Sequence, residues 1–473
     1  MGRSIVLVYT FGEQANDPFT DPKSKLLEGY DGAFYGTAFS GGGNGAGFGD
    51  GCIYRVNAQG DETVLYPFAD GADGDNPVGA LALGPDGYTM YGTSNNGVNQ
   101  DGTVFTVTPL GTFNVLATFP DDDSDGLSIN GGLVLAGDGQ TFYGTTQYGG
   151  ANGLGVIFSV TTGGDLQVVH SFNALDGNNA NSEGAAPTTG LTVGSDGALY
   201  GVAPSGGQNG NGTVFSVSGG SVAPLYSFSA LDGNGHNPDG SAPTGELVMG
   251  PHGYLYGVAS GGGKYGFGTL FRITLKTGLF TTLHDFKGGA DGAYPVDVEM
   301  GAGGALCGVT QGGADAGGSM FFRLSDGSMS DFSFPGGEVG AGLATGLVFG
   351  SDGNFYGTTV NNGNDGQGTV FEVKVTRNII YTYSTAAGKY SGALQNDTGS
   401  VSLILGATGN VNGTLTIGRK RFPFRSTLTG PASFSVNLPA GNSLSLQLSF
   451  ANDTFSFAGL ATGVAVTANR IVR

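Results

Sequence analysis

Two short stretches are dense in side-chain oxygen, ADGADGDNP (69–77) and DDDSDG (121–126), and the second carries more than a turn requires. Carboxylate and amide oxygens at that density suit Ca²⁺, which takes about six to eight oxygen ligands. Asp70, Asp73 and Asp75, and the group Asp121, Asp122, Asp123 and Asp125, are therefore the candidate metal ligands. Neither stretch ends in the glutamate of an EF-hand loop. Asp-Gly is also a common turn maker, and that plainer account fits both stretches.

Other groups able to do chemistry are few. Of the four histidines, His170 and His284 stand where related segments have Tyr, and His252 replaces the Asp of a PDG turn. His236 lies in a loop beside Asp232 and Asp239, where it could act as a base or ligand. Tyr148 and Tyr265, in YGG and KYG, offer ring faces for a ligand to stack on. No Ser/His/Asp set stands out, and no carboxylate pair can be singled out among so many acids. Cys52 and Cys307 lack any CxxC or Cys/His spacing and read as small buried hydrophobes.

The elements that must position these residues are strands. The 473 residues include 93 Gly and no Trp, with 12% charged and 39% hydrophobic residues, too apolar for disorder and too Gly-rich for helices. One phrase returns seven times: FYGTA (34–38), MYGTS (90–94), FYGTT (142–146), LYGVA (199–203), LYGVA (255–259), LCGVT (306–310) and FYGTT (355–359). Successive phrases are 56, 52, 57, 56, 51 and 49 residues apart, a period that points to a propeller of four-stranded blades. Around each phrase lie a small-residue run a (such as TGLTVG or GELVMG), the phrase itself as run b, a GTVF-like run c and a run d ending in Phe.

Only six d runs lie between the seven a, b and c runs, but SIVLVYTF (4–11) has the missing signature, with Tyr9-Thr10-Phe11 matching Tyr226-Ser227-Phe228. The amino-terminal strand is expected to close the ring by completing the last blade. NIIYTY (378–383) is a surplus d-like run, which either opens the next domain or pairs with another molecule. On the second alternative, Val8, Tyr9 and Phe11 become assembly residues, and copies join by strand donation.

Units reading L-x-x-F, DG-x-x-P, DG-x-x-YGTT, GG and GTVF resemble the choice-of-anchor GloVer tandem-repeat family of bacterial exported proteins, across roughly residues 4–375. The resemblance implies secretion or cell-surface display, with any export signal already removed, and says little about activity.

After Tyr383 the repeat gives way to period-two alternation in SVSLIL, NGTLTIG, RFPFRSTL and SLSLQLSF, which predicts a small antiparallel β-sandwich or barrel. The expected organisation is all-β: a seven-bladed β-propeller over 1–383, closed by its amino-terminal strand, then an appendage over 384–473. From Ser384 onward seven Lys/Arg face two acids, net +5, which leaves −25 of the total −20 on residues 1–383. Arg419, Lys420, Arg421 and Arg425 form the one dense basic patch, which either blunts an edge strand or docks on an acidic surface.

An acidic body excludes nucleic acid as its partner, and no stretch reaches the ~18 apolar residues of a membrane-spanning helix. The favoured reading is a non-enzymatic extracellular or cell-surface structural or binding protein, self-assembling head to tail through its acidic propeller and basic appendage. The alternative is a Ca²⁺-dependent propeller that binds a glycan or surface polymer through Asp232, His236, Tyr148 and Tyr265. A propeller-type polysaccharide lyase or lactonase ranks third, because the loops supply few His and Arg.

Overall fold

Each repeat folds into one four-stranded antiparallel sheet in the computed structural model, with the runs side by side in chain order. All residues are described except 1–2, 13–19, 42–49, 70, 96–101, 121–125, 127, 302–303, 315–316, 325, 344, 362, 364–365, 376–387, 394–398, 406–409, 418–419, 428–432, 438–442, 452–453, 462–463 and 471–473. Beyond 388 the strands are described by their backbone alone. Blade 1 runs Leu27–Glu28, Phe34–Ala38, Cys52–Val56 and Glu62–Pro67. Blades 2 to 6 repeat that order, and blade 5, for example, is Ser241–Gly250, Tyr254–Gly261, Thr269–Thr274 and Leu279–Asp285. In blade 7 the outer strand is Arg3–Thr10, paired antiparallel with Thr369–Val375. The amino-terminal run thus has its pairing partner in its own chain, whereas 378–383 lies outside the described residues.

Seven hydrophobic clusters hold the propeller together, each filling the space between two consecutive blades. The seventh joins Tyr9, Phe11, Tyr356 and Val370 of blade 7 to Leu26, Phe34 and Tyr54 of blade 1, so the ring is closed by packing as well as by pairing. The Phe that ends each d run is buried in every blade: Phe11, Phe68, Phe119, Phe172, Phe228, Phe286 and Phe334.

Gly in the YGT phrase is required by that packing. At Gly257 a Cβ would sit 2.6 Å from the Phe271 ring and 2.7 Å from Leu247, so only Gly lets the run c aromatic lie across run b. A second joint couples the blades at their loops. Ala242, at φ 48°, donates its N–H to Asn211 O of the preceding blade (3.0 Å), and Pro243 then packs on Gly212. Gly212 has φ +95°, and a Cβ there would lie 2.5 Å from Pro243 Cδ. The same N–H bond is made by Asp21, Asn76, Ala186 and Tyr294, all left-handed, to Gln367, Asp50, Leu154 and Phe267. A left-handed non-Gly residue costs about 1–2 kcal/mol, so each joint carries strain that blade packing offsets.

The chain divides into two compact units, Arg3–Val375 and a second containing Thr376–Arg473. In the second, eight strands form one antiparallel sheet whose two edges are Lys420–Thr427 and Ser433–Asn437. These edges are consecutive in sequence, joined by residues 428–432. A link of that length reaches about 20 Å, while eight flat strands would span about 34 Å. The sheet therefore has to curl upon itself.

If Phe11 completes the core between blades 7 and 1, Phe11→Ala should cost about 3–5 kcal/mol in denaturant unfolding. A loss below ~1 kcal/mol would show that the amino-terminal strand is dispensable to the ring.

Candidate functional site

The loops joining run d to run a, and run b to run c, emerge on one face, where the sequence concentrates its acids. In four blades the run d side chain two residues before the buried Phe reaches one of those acids. Tyr66 donates to Asp73 (2.8 Å) and Tyr226 to Asp239 (2.7 Å), while His284 Nε2 lies 2.9 Å from Asp291 and His170 Nε2 lies 3.1 Å from Glu183. Burial pushes the Tyr66 hydroxyl up to about 12, with Asp73 adding to the shift. His284 replaces Tyr with an imidazole that bonds the same kind of acceptor, whereas His170 Nε2 comes close to Glu183 without a hydrogen bond. These acids therefore fasten the end of the outer strand to the loop that follows it.

The loop asparagines are engaged in the same way. Asn237, buried, donates to Ser229 O (3.0 Å) and Gly240 O (2.7 Å) and accepts from the amides of Gly240 (2.9 Å) and Gly263 (2.8 Å), stitching two loops together. Asn181 repeats this pattern in the preceding blade.

Of the proposed metal ligands, Asp70, Asp121, Asp122, Asp123 and Asp125 lie outside the described residues. Asp73 is bonded to Tyr66, and the Asp75 carbonyl accepts from the Asn95 amide (3.1 Å). Among the described residues no group of three or more His, Cys, Asp or Glu is arranged to hold a metal ion. Asp232 is a turn former: its carboxylate accepts the amides of Asn234 (2.8 Å) and His236 (2.9 Å), which hold its pKa below the usual range. The His236 ring lies against Gly266, in the loop that carries Tyr265.

This face also leaves large hydrophobics open. Tyr148, Tyr265, Tyr294 and Leu231 are 48, 38, 47 and 40% exposed, four of the nine large hydrophobics exposed among the described residues. Three of the four surround blade 5, where Tyr294 packs edge-on to Phe267 (5.9 Å) and Lys264 Nζ sits 5.3 Å from the Tyr265 ring centre. Arg419 lies outside the described residues. Lys420 faces Ile417 across a hairpin, and Arg421 and Arg425 pair with Thr416 and Asn412.

Sequence reasoning missed a second cluster. Lys25, just before run a of blade 1, lies 3.4 Å from Asp297 Oδ2 and 2.9 Å from Glu299 Oε2, both in run a of blade 6. The pair skips blade 7, whose inner edge presents Gly346 beside Asp297 with no room for a Cβ. Glu246 of blade 5 adds a third carboxylate, resting on Gly190 of blade 4, and its amide donates to Asp297 Oδ1 (3.1 Å). Burial pushes Asp297 up to about 7 against the opposing charge of Lys25, and burial likewise raises Glu246. Burial alone would lower the Lys25 pKa, but Asp297, Glu299 and Glu246 together raise it well above normal. The signal was present: where blades 2, 3, 4 and 7 have Ala80, Gly132, Gly190 and Gly346 before the run a Leu or Val, blades 1, 5 and 6 have Lys25, Glu246 and Asp297.

Seven sheets joined in a ring by seven shared cores, with engaged loop acids above them, define a seven-bladed β-propeller repeat protein. The Gloeobacter/Verrucomicrobia repeat model matches residues 4–185 and 187–421, and the chain belongs to that family. No curated protein matches it in sequence. Among solved structures, the extracellular domain of a hybrid two component system from B. thetaiotaomicron is similar at TM-score 0.54 and 8% identity, over 97% of this chain and 52% of that one. This chain thus spans about half the length of that domain. An oligogalacturonate lyase from Vibrio parahaemolyticus is similar at TM-score 0.51 and 11% identity, over 80% of this chain and 98% of that one. At such identities the likeness is one of fold.

The Asp297 carboxyl makes a directional prediction. A folded-state pKa of about 7 against an ordinary 3.8 means that stability is highest at low pH and falls as pH rises from about 4 to about 7. The full effect is on the order of 4 kcal/mol. Asp297→Asn should flatten that slope relative to wild type in guanidinium unfolding at pH 5 and pH 8, and parallel curves would refute it. Lys25→Met should cost about 3–5 kcal/mol at pH 8 and less at pH 5.

Proposed function

We propose that this protein is a non-enzymatic binding module of the extracellular space or cell surface, which takes a glycan or surface polymer on the loop face around blade 5. One contrast carries the reading. The described loop acids Asp73, Glu183, Asp239 and Asp291 and the histidines His170 and His284 are engaged within the fold, while Tyr265, Tyr294 and Leu231 stand exposed. A catalytic face would keep an acid or base free to meet substrate. A binding face offers ring surfaces on a rigid scaffold, with His236, Asp232 and Lys264 nearby to accept and donate hydrogen bonds. The similarity to the extracellular domain of a two component system supports the location, and the lyase likeness supports only the shared architecture.

Calcium enters this proposal as a loop-ordering ion at Asp70, Asp75 and the 121–125 loop. The Asp73 carboxylate already accepts from Tyr66. Contact between the acidic loop face and the basic hairpin of another copy remains the structural variant of the proposal.

A glycan array followed by calorimetry, with and without Ca²⁺, tests the reading. Tyr265→Ala with Tyr294→Ala should weaken a positive glycan at least ~10-fold while leaving the melting temperature unchanged. Silence across the array, together with salt-sensitive oligomers in size-exclusion chromatography, would replace glycan binding by self-assembly.

A further inference from the structure

The opposite face, where runs a and b turn into each other, carries its own pattern. In blade 1 the turn residue Asp31 accepts three side-chain bonds, from the Tyr35 hydroxyl (3.0 Å), Arg55 Nε (3.0 Å) and Arg55 Nη2 (2.7 Å), besides the Ala33 amide (3.2 Å). The turn carboxylates Asp196 and Asp352 likewise accept from Tyr200 (2.7 Å) and Tyr356 (2.9 Å). Blade 5 keeps two of the three parts. Tyr256 occupies the Tyr35 position, and Arg272, opposite Tyr256 in the ladder as Arg55 is opposite Tyr35, occupies the Arg55 position.

The third part is changed. His252 stands where blade 1 has Asp31, with its backbone turned to φ 62°, and no carboxylate of the turn reaches the arginine. Arg272 Nε is buried with no hydrogen-bond partner, although the equivalent Arg55 Nε donates to Asp31. The Arg272 guanidinium is held instead over the Tyr254 ring, 4.3 Å from its centre, where blade 1 has Ala33. A second guanidinium comes from blade 6: Arg323, whose Nε is also buried without a partner. Arg323 is the ladder partner of Leu306, which shares one core with Tyr256; burial raises the Tyr256 pKa, and Arg272 and then Arg323 pull it down. Two arginines thus border the core that holds Tyr256, in a chain of net charge −20; Arg272 is in none of the ion pairs among the described residues, and Arg323 lies by the turn of Asp326, whose pKa it helps to lower.

We propose that Tyr256, Arg272 and Arg323, beside the Pro251–Gly253 turn, bind the carboxylate of a small organic acid in the position that Asp31 takes in blade 1. The protein supplies its own template: a carboxylate meets the guanidinium edge through two N–H groups and accepts the tyrosine O–H, a planar match that charge assistance strengthens. His252 exchanges an internal anion for an external one, and Arg323 supplies a second positive charge to hold it. This site lies on the face opposite Tyr265 and stands independently of the glycan reading.

Calorimetric titration at low salt with acetate, D-glucuronate, inorganic phosphate and D-glucose, on wild type, His252→Asp and Arg323→Gln, tests it. Both carboxylates should saturate wild type with Kd on the order of 1 mM, and glucose should not bind. His252→Asp, which restores the internal carboxylate, should weaken glucuronate at least ~10-fold and raise the melting temperature. Arg323→Gln should weaken it without that rise, and decides the matter if the first variant does not fold. Absence of saturation by both acids, equal binding of glucose, phosphate tighter than acetate, or unchanged affinity in both variants would overturn the proposal.

Discussion

The fold depends on the joint between consecutive blades. Each blade is too thin to bury its own faces, so Phe, Tyr and Leu from two neighbours must share one core, and a ring of such cores is stable only if every joint is made. Two kinds of Gly make the joint possible. One, in the YGT phrase, lets an aromatic ring cross the sheet; the other, before run c, lets the next blade's proline approach. The repeat is therefore a record of contact geometry, and its most regular letters are those at which any side chain would collide.

That constraint explains why so much described polarity on the loop face is engaged within the fold. A left-handed residue before proline, an outer strand end and two Gly-rich loops all leave amides and carbonyls that must find partners. Asn181 and Asn237, and the acids that meet Tyr66, His170, Tyr226 and His284, satisfy them. Repeated use of one solution looks, in sequence, like a concentration of ligands.

The repeat is broken at a few places, and each break changes what the fold leaves unpaired or exposed. Ala or Gly before the run a Leu becomes Lys25, Glu246 or Asp297 in three blades, and these meet across the inner edge of a fourth. The turn Asp becomes His252 in one blade, and an arginine loses its internal partner. Exposed rings gather at blade 5, where Tyr294 replaces the small or polar residue that other joints carry. Departures from a seven-fold pattern are informative because six other copies show what packing alone demands.

The sequence by itself determined the all-β class, seven blades, the run order within each and the closing role of SIVLVYTF, because a fifty-residue period and alternating apolar residues are local signals. It also showed that His170 and His284 stand in for Tyr. Only the tertiary structure decided which groups meet. Lys25 and Asp297 are 272 positions apart in the chain, and nothing near either residue announces the other. Arg272 and Arg323 look ordinary in their strands, and their significance lies in an acceptor present in blade 1 and absent from blade 5. Periodicity fixes how a chain is folded onto itself. Closing the ring then sets the distance between side chains from separate repeats, and that distance governs their charge.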